Sequence, residues 1–348
     1  MQDDNDGEHI RVGEQFIFVP FLQKGMSNQK LQIIPVVRLA ATLDRTLILP
    51  GLNDFLFSSD ITIKGAKICQ DELLCHVVPF STVYNVLKFK KDLQHHLNVS
   101  SVDMSELPAN WKEVWTIGEI IIPKKLKFQK DKEKALFSRL KTVSHARVII
   151  LNGLVASLPN LASKIPNKYL TPQEYEAKVM SSFHLNDFLG KRLEQLRSKL
   201  LFPECNHPVN FILALHIRAE PDVRRMCRDA CFEAEEMISW AVDHFSAYRN
   251  KSVVLFLTGK SLKYDTVGHL EGLGWCASKV SDVVKKDDLL HIQQAAIDFE
   301  VGKIAWIFVG LKLSSFSTET FKIRSDLGKP SWEFVKGRVI PWRPQHYL

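Results

Sequence analysis

Nowhere in the 348 residues does an uncharged apolar run approach the ~20 needed to cross a bilayer as a helix, so a helical membrane span is excluded. The opening "MQDDNDGEHIRVG" is acidic where a secretory leader is basic and then apolar, and the chain reads as soluble with no readable signal. A G-x-G-x-x-G stretch is absent, which argues against the usual dinucleotide-binding turn. Cysteine is scarce. Its six positions, Cys69, Cys75, Cys205, Cys227, Cys231 and Cys276, include no C-x-x-C pair or Cys/His set with zinc spacing, so no structural metal is expected. His95 and His96 are neighbours on a helix pattern, point to different sides and make poor metal partners. Acidic residues are outnumbered, 39 against 46 Lys and Arg, for a formal charge of +7. The excess gathers between Lys124 and Arg147, where a solvated helix face and a polyanion or membrane-surface patch are both open readings; it does not by itself imply nucleic-acid binding.

What is present is a chain with 45% hydrophobic residues, enough for two cores of ordinary size. Short apolar runs alternate with helix-like stretches: "QFIFVPF", "RTLILP" and "ARVIILNG" first, then "NFILALHIR", "SVVLFLTG" and "KIAWIFVG". Runs without in-out alternation are strands buried on both faces, as in parallel sheets flanked by helices. The expected fold is therefore α/β, with two Rossmann-like halves facing each other across a cleft. The two prolines of "LLFPECNHPVN" place the boundary near residue 204. That gives a first domain over 1–204, a second over 205–335, and a C-terminal strap over 336–348, "GRVIPWRPQHYL" at its core, packing back on the first half. Two N-glycosylation sequons, Asn98-Val-Ser and Asn250-Lys-Ser, and an even cysteine count are compatible with a lumenal protein.

Three turns follow strands and open helices, the places where α/β sheets bind ligands, because helix N-termini present unpaired N–H groups and partial positive charge. In "GMSNQ", Gly25 is available for positive φ and close approach, and Asn28 reads either as an N-cap or as a ligand-facing amide. Pro35 then either kinks the following helix or marks where its regular part begins. In "LALHIRAEPD", His216 and Arg218 share one side of a strand end; the guanidinium seeks an anion, either a phosphate or the nearby Asp222. In "LKLSSFSTETFKIR", Ser314, Ser315, Ser317 and Thr318 open a helix, as a phosphate seat or simply as a well-capped terminus. Arg324, two turns on, would add positive charge to the same region if it faces inward.

Together these segments resemble the GDP-fucose protein O-fucosyltransferase family, a GT-B-type glycosyltransferase group. The likeness lies in "GMSNQ…LAATLDRTLILP", similar to the family's G-x-x-N-Q, helix and N-R-T-L-x-x-P; in "HIRAEPD…C", similar to H-x-R-x-x-x-D with a following Cys; and in "SSFSTETFKIRSDLGKPSWEF", similar to its S-S-F turn, Arg and G-[RK]-P-S-x-x-F close. The last points to the branch that modifies EGF-like repeats. The chain departs from the pattern in "FLQKG", which lacks the family's Cys, in Thr258-Gly259-Lys260, which lacks an acid, and at Trp306, where an acidic residue often stands.

The resemblance implies an inverting transfer of fucose from GDP-fucose to a Ser or Thr hydroxyl. Arg218 would hold the diphosphate and Asn28 would orient the acceptor or the sugar, these two being the catalytic pair. Ser314, Ser315 and Phe316 would hold phosphate oxygens, with His216 and Asp298 on guanosine and Arg324 and Asp222 shaping the site. It implies no cofactor and no metal, with GDP-fucose as donor substrate; a protein acceptor such as an EGF-like or other small disulfide-rich domain; a monomer that does not bind nucleic acid; and an endoplasmic reticulum or Golgi lumen location, a cytoplasmic one being the alternative. A related GDP-sugar transferase acting on a glycan and an inactive glycoprotein-binding relative are the other open functions.

Overall fold

The structure, a computed structural model, describes residues 13–20, 22, 25–54, 77–121, 129–152, 170–200, 205, 208–217, 234–257, 266–284, 289–311, 314–335 and 338–343. They form two compact units, one from the described residues of Met1–Asp54 and Cys75–Asn186, the other from those of Asp187–Leu348.

The first unit runs β1 (Phe16–Phe18), α1 (Met26–Leu43), β2 (Thr46–Ile48), β3 (Leu52–Asn53), β4 (Val77–Val78), α2 (Val86–Leu97), β5 (Ser101–Val102), α3 (Trp111–Val114), β6 (Ile117–Ile121), α4 (Gln129–Thr142), β7 (Val148–Asn152) and α5 (Pro172–Ser181). Five of its strands make a sheet in the order β5-β2-β1-β7-β6, every pair parallel. Phe16 and Phe18 are buried, Phe16 stacked on Trp115 at 4.9 Å and Phe18 edge-on to Trp111 at 5.9 Å, which closes one face of the sheet. The short strands β5 and β6 carry no long apolar run, and the sequence reading did not single them out.

The second unit runs α6 (Asp187–Leu200), β8 (Phe211–His216), α7 (Ala234–His244), β9 (Ser252–Leu257), α8 (Thr266–Gly272), β10 (Cys276–Lys279), α9 (Val280–Val283), α10 (His291–Ile304), β11 (Ile307–Leu311), α11 (Ser315–Asp326), β12 (Ser331–Val335) and β13 (Arg338–Pro341). The sheet order is β10-β9-β8-β11-β12-β13, parallel except for β13. Numbered within this unit, that is 3-2-1-4-5-6, the doubly wound order whose switch point lies between β8 and β11. The central strands are apolar because both faces of the sheet are covered, with every residue of β9 and β11 and the last four of β8 buried.

Helix α6, placed by its sequence in the first half, is part of the second compact unit. The 338–341 segment, expected as part of a strap, pairs antiparallel with β12, Glu333 opposite Ile340, and Trp342 stacks on Phe321 at 5.6 Å. Four residues with Val and Ile at their centre complete a sheet edge more favourably than they lie loose, and Pro341 suits an edge because it has no N–H to donate. Cys205, just before β8, is disulfide-bonded to Cys276 at the start of β10, 71 residues on. Closing a loop of that size restricts the unfolded chain by roughly 4 kcal/mol.

Candidate functional site

The switch point of the second sheet gathers the polar residues of two strand ends. His216 ends β8 with 1% of its surface exposed, and its Nδ1 lies 2.7 Å from Ser317 Oγ. That same Oγ accepts the Leu311 N–H at 3.0 Å, so one hydroxyl ties the imidazole to the end of β11. The imidazole stacks on Phe316 with centroids 4.3 Å apart, and Phe299 of α10 meets Phe316 edge-on at 5.5 Å. One strand end, one helix N-terminus and one flanking helix are thereby locked together.

Close approach of α11 to β11 depends on Gly310. A Cβ there would lie 2.5 Å from Ser317 Oγ and 2.9 Å from Ser317 Cβ, so no larger residue fits without moving the histidine's partner. Ser314 takes the N-cap position of α11, and its C=O accepts the Thr318 N–H at 2.9 Å. The amides of Ser315, Phe316 and Ser317 precede that first intrahelical bond, the usual vacant donors of a helix start. Ser314 makes no capping bond with its side chain, and its buried Oγ has no hydrogen-bond partner among the described residues. The well-capped-terminus reading of this turn therefore fails for Ser314, while Ser317, read from the sequence as one of the helix-opening hydroxyls, serves as an anchor for His216 and β11. Asp298 is buried on α10 beside Phe299 in the chain and accepts Gln294 Nε2–H at 2.9 Å.

Arg324 does not join this group. It is wholly buried and donates to the carbonyls of Gly302, Lys303, Ala305, Trp306 and Pro330 and to Ser331 Oγ, with distances from 2.6 to 3.2 Å. Those acceptors are the last turn of α10 and the entries to β11 and β12, at the amino end of the sheet. Its charge complements the negative end of α10, so the expected second cation for a ligand is instead a structural clamp with its donors engaged. Burial pushes its pKa down to about 10, and it stays protonated at neutral pH. Trp306 lies at the same end, against Phe211 at 4.5 Å and Tyr248 at 4.7 Å, so that departure from the family pattern sits away from the strand ends that carry the site. Arg218, Asp222, Cys227, Cys231 and the 258–260 turn lie outside the described residues.

In the first unit, β1 leads to α1, whose N-cap is Gly25 at φ −66 and ψ 164 rather than Asn28. Gly25 is thus extended, not in positive φ, and nothing lies within 4 Å of where its Cβ would be. Asn28 sits in the first helical turn, half-buried, and its side chain makes no hydrogen bond among the described residues. Gln29 beside it is engaged: its Nε2 donates to the Asn53 carbonyl at 2.8 Å and its Oε1 accepts the Asn53 N–H at 2.9 Å. This two-bond pairing fixes the rotation of the helix start and so the direction from which Asn28 emerges. Helix α1 is helical from Met26 to Leu43 with Pro35 inside it, so its regular part does not begin at the proline. Asn28, Leu31 and Pro35 share its less buried stripe, so the carbonyl that Pro35 leaves without an N–H lies where the helix is least covered. Arg45 reaches the Phe16, Ala146, Arg147 and Ser144 carbonyls, tying β1 to the entry of β7.

The family profile described as GDP-fucose protein O-fucosyltransferase matches residues 16–253. The chain belongs to this family. It is accordingly a glycosyltransferase of the fucosyltransferase type, with GDP-fucose as donor, on an α/β fold of the GT-B kind. Among solved structures, POFUT1 in complex with GDP-fucose is similar with a TM-score of 0.60 at 15% identity, over 94% of this chain and 99% of that one. POFUT1 in complex with GDP gives 0.58 at 15%, over 92% and 99%. The fucosyltransferase NodZ from Bradyrhizobium gives 0.51 at 11%, over 96% and 100%. No curated protein sequence matches the chain. The family match ends before α10 and α11, so the switch-point cluster at Asp298 and Ser314–Ser317 rests on geometry and not on that match.

Proposed function

We propose that this member of the family transfers fucose from GDP-fucose to a Ser or Thr hydroxyl of a protein acceptor, with inversion at the anomeric carbon. The observation that carries the reading is the junction of β8 and β11. A buried hydroxyl without a partner among the described residues, three helix-start amides and an anchored imidazole meet where a doubly wound sheet binds nucleotides, and Arg218 follows two residues after His216.

In single displacement the acceptor oxygen forms a bond to the sugar's anomeric carbon as the bond to GDP breaks. The acceptor proton leaves to a base supplied by substrate or phosphate, and the electron pair departs on the diphosphate. The largest task is stabilising that developing charge, which Arg218, the Ser315 and Phe316 amides and the Ser314 hydroxyl perform. A preorganised donor of this sort contributes about 3 to 4 kcal/mol, or 10² to 10³ in rate. His216 and Asp298 hold the guanosine, and Asn28 orients the acceptor or the sugar. The donor is held by protein groups, no cofactor takes part, and transfer survives EDTA; a manganese requirement would contradict this. The acceptor is a small disulfide-rich domain of the EGF-like kind, the enzyme acts as a monomer, and the bonded Cys205–Cys276 pair suits a secretory lumen.

Calorimetric titration with GDP-fucose, GDP-mannose and UDP-sugars tests the reading. GDP-fucose binds most tightly, and Arg218→Ala abolishes transfer without lowering the melting temperature. Absence of binding to any GDP compound would leave an inactive glycoprotein-binding relative, and transfer only to oligosaccharides would leave a glycan-directed enzyme.

A further inference from the structure

We propose that Asn98 is a site of N-linked glycosylation; the inference rests on the lumenal reading above. The sequon Asn98-Val99-Ser100 links α2 to β5. Asn98 is the C-cap of α2 in the left-handed region, φ 53 and ψ 41, which asparagine tolerates well. Asn98 and Ser100 are exposed while Val99 between them is 2% exposed, so the anchor points inward and the two sequon side chains emerge together. Gln94 holds both: its Nε2 donates to Asn98 Oδ1 at 3.0 Å, and its Oε1 accepts Ser100 O–H at 3.1 Å. The Asn98 carboxamide is engaged through its oxygen, and Nδ2, the atom that is modified, makes no hydrogen bond among the described residues.

The other sequon differs. Asn250 is exposed on a short 3-10 turn, but Ser252 is 2% exposed and donates to the Tyr248 carbonyl at 2.8 Å as β9 begins. Folding withdraws the hydroxyl there and leaves it presented at Ser100. Asn98 is thus open to modification both before and after the chain folds, and Asn250 only before.

In the reaction the Asn98 amide nitrogen attacks the anomeric carbon of an oligosaccharide carried on a polyprenyl pyrophosphate. The N–C bond forms, the C–O bond to pyrophosphate breaks, the amide loses one proton, and the polyprenyl pyrophosphate leaves with the electron pair.

The test is the full chain directed into the secretory lumen of cultured eukaryotic cells, with peptide mapping before and after peptide N-glycosidase in heavy-oxygen water. Asn98 is expected to carry the deamidation mark of a released glycan. Ser100→Ala is expected to lose one glycan step on a gel, and Ser100→Thr to keep it. An unmodified Asn98 in a chain whose Cys205–Cys276 bond has formed overturns the proposal and leaves the lumenal reading standing. An unmodified Asn98 with both cysteines as thiols overturns the two together. Should Ser100→Ala fail to be secreted, the peptide map of the unaltered chain decides.

Discussion

Both units are built on a mainly parallel sheet, and beyond their different strand orders they part most clearly at the carboxyl ends of their strands. At the amino ends each uses a buried arginine as a fastening: Arg45 spans the entries of β1 and β7, and Arg324 spans the end of α10 and the entries of β11 and β12. At the carboxyl ends each begins a helix with a buried serine hydroxyl that lacks a partner among the described residues, Ser27 in α1 and Ser314 just before α11. The units part there. The first fixes its helix start through Gln29 and presents a half-buried Asn28 whose side chain has no hydrogen bond among the described residues, whereas the second closes an imidazole, a phenyl ring and a serine into one cluster. A sheet's amino end is thus reserved for holding together, and its carboxyl end is where the units acquire different chemistry.

Four experiments press on that contrast. The largest effect is expected for Arg324→Met. Leaving five carbonyls without a donor costs about 4 kcal/mol or more by denaturant titration, against about 2 to 3 kcal/mol for Arg45→Met, which frees fewer. A stable Arg324→Met protein that has only lost GDP affinity would return this residue to the ligand. Next, Gly310→Ala forces Ser317 aside, and a loss of about 1 to 3 kcal/mol is expected together with weakened GDP binding in calorimetry. Unchanged nucleotide affinity would separate the cluster from the donor. Third, Asn28→Ala should move stability by no more than about 0.5 kcal/mol while lowering turnover, and Gln29→Ala should cost about 1 to 3 kcal/mol because it strands the Asn53 backbone groups. Equal stability losses would make the two residues a single structural pair.

The smallest effect concerns pH. Bonds from Thr171, first its backbone N–H and then its hydroxyl, hold the Glu174 carboxylate below its ordinary 4.5. A folded pKa that is depressed gives stabilisation present above 4.5 and lost as pH falls through the folded value. Hydrogen exchange should therefore show the start of α5 fraying below that range and not at neutral pH. Fraying that is the same at both would remove the capping box from the account.

The central strands were legible because β1, β7, β8, β9 and β11 are continuous apolar runs, whose burial needs no partner information to infer. The edges were not: β6 has alternating exposure, β10 contains Lys279, and β13 is short and mostly exposed, defined by its pairing with β12. The serine turn and His216 were readable as strand-end polarity. Their mutual bond was not, since it joins residues 101 apart through a glycine whose importance lies in the absence of a side chain. Gly310 inside an apolar strand was the available signal. Arg324 misled because sequence gives a helical arginine's spacing but not the end of the sheet it reaches.

The Cys205–Cys276 bond has a practical corollary. It joins chain on either side of β8 and β9, so a protease cut anywhere between those strands leaves the pieces covalently joined. Such a clipped molecule would migrate as intact protein on a gel, and the cut would become visible only when a thiol is added.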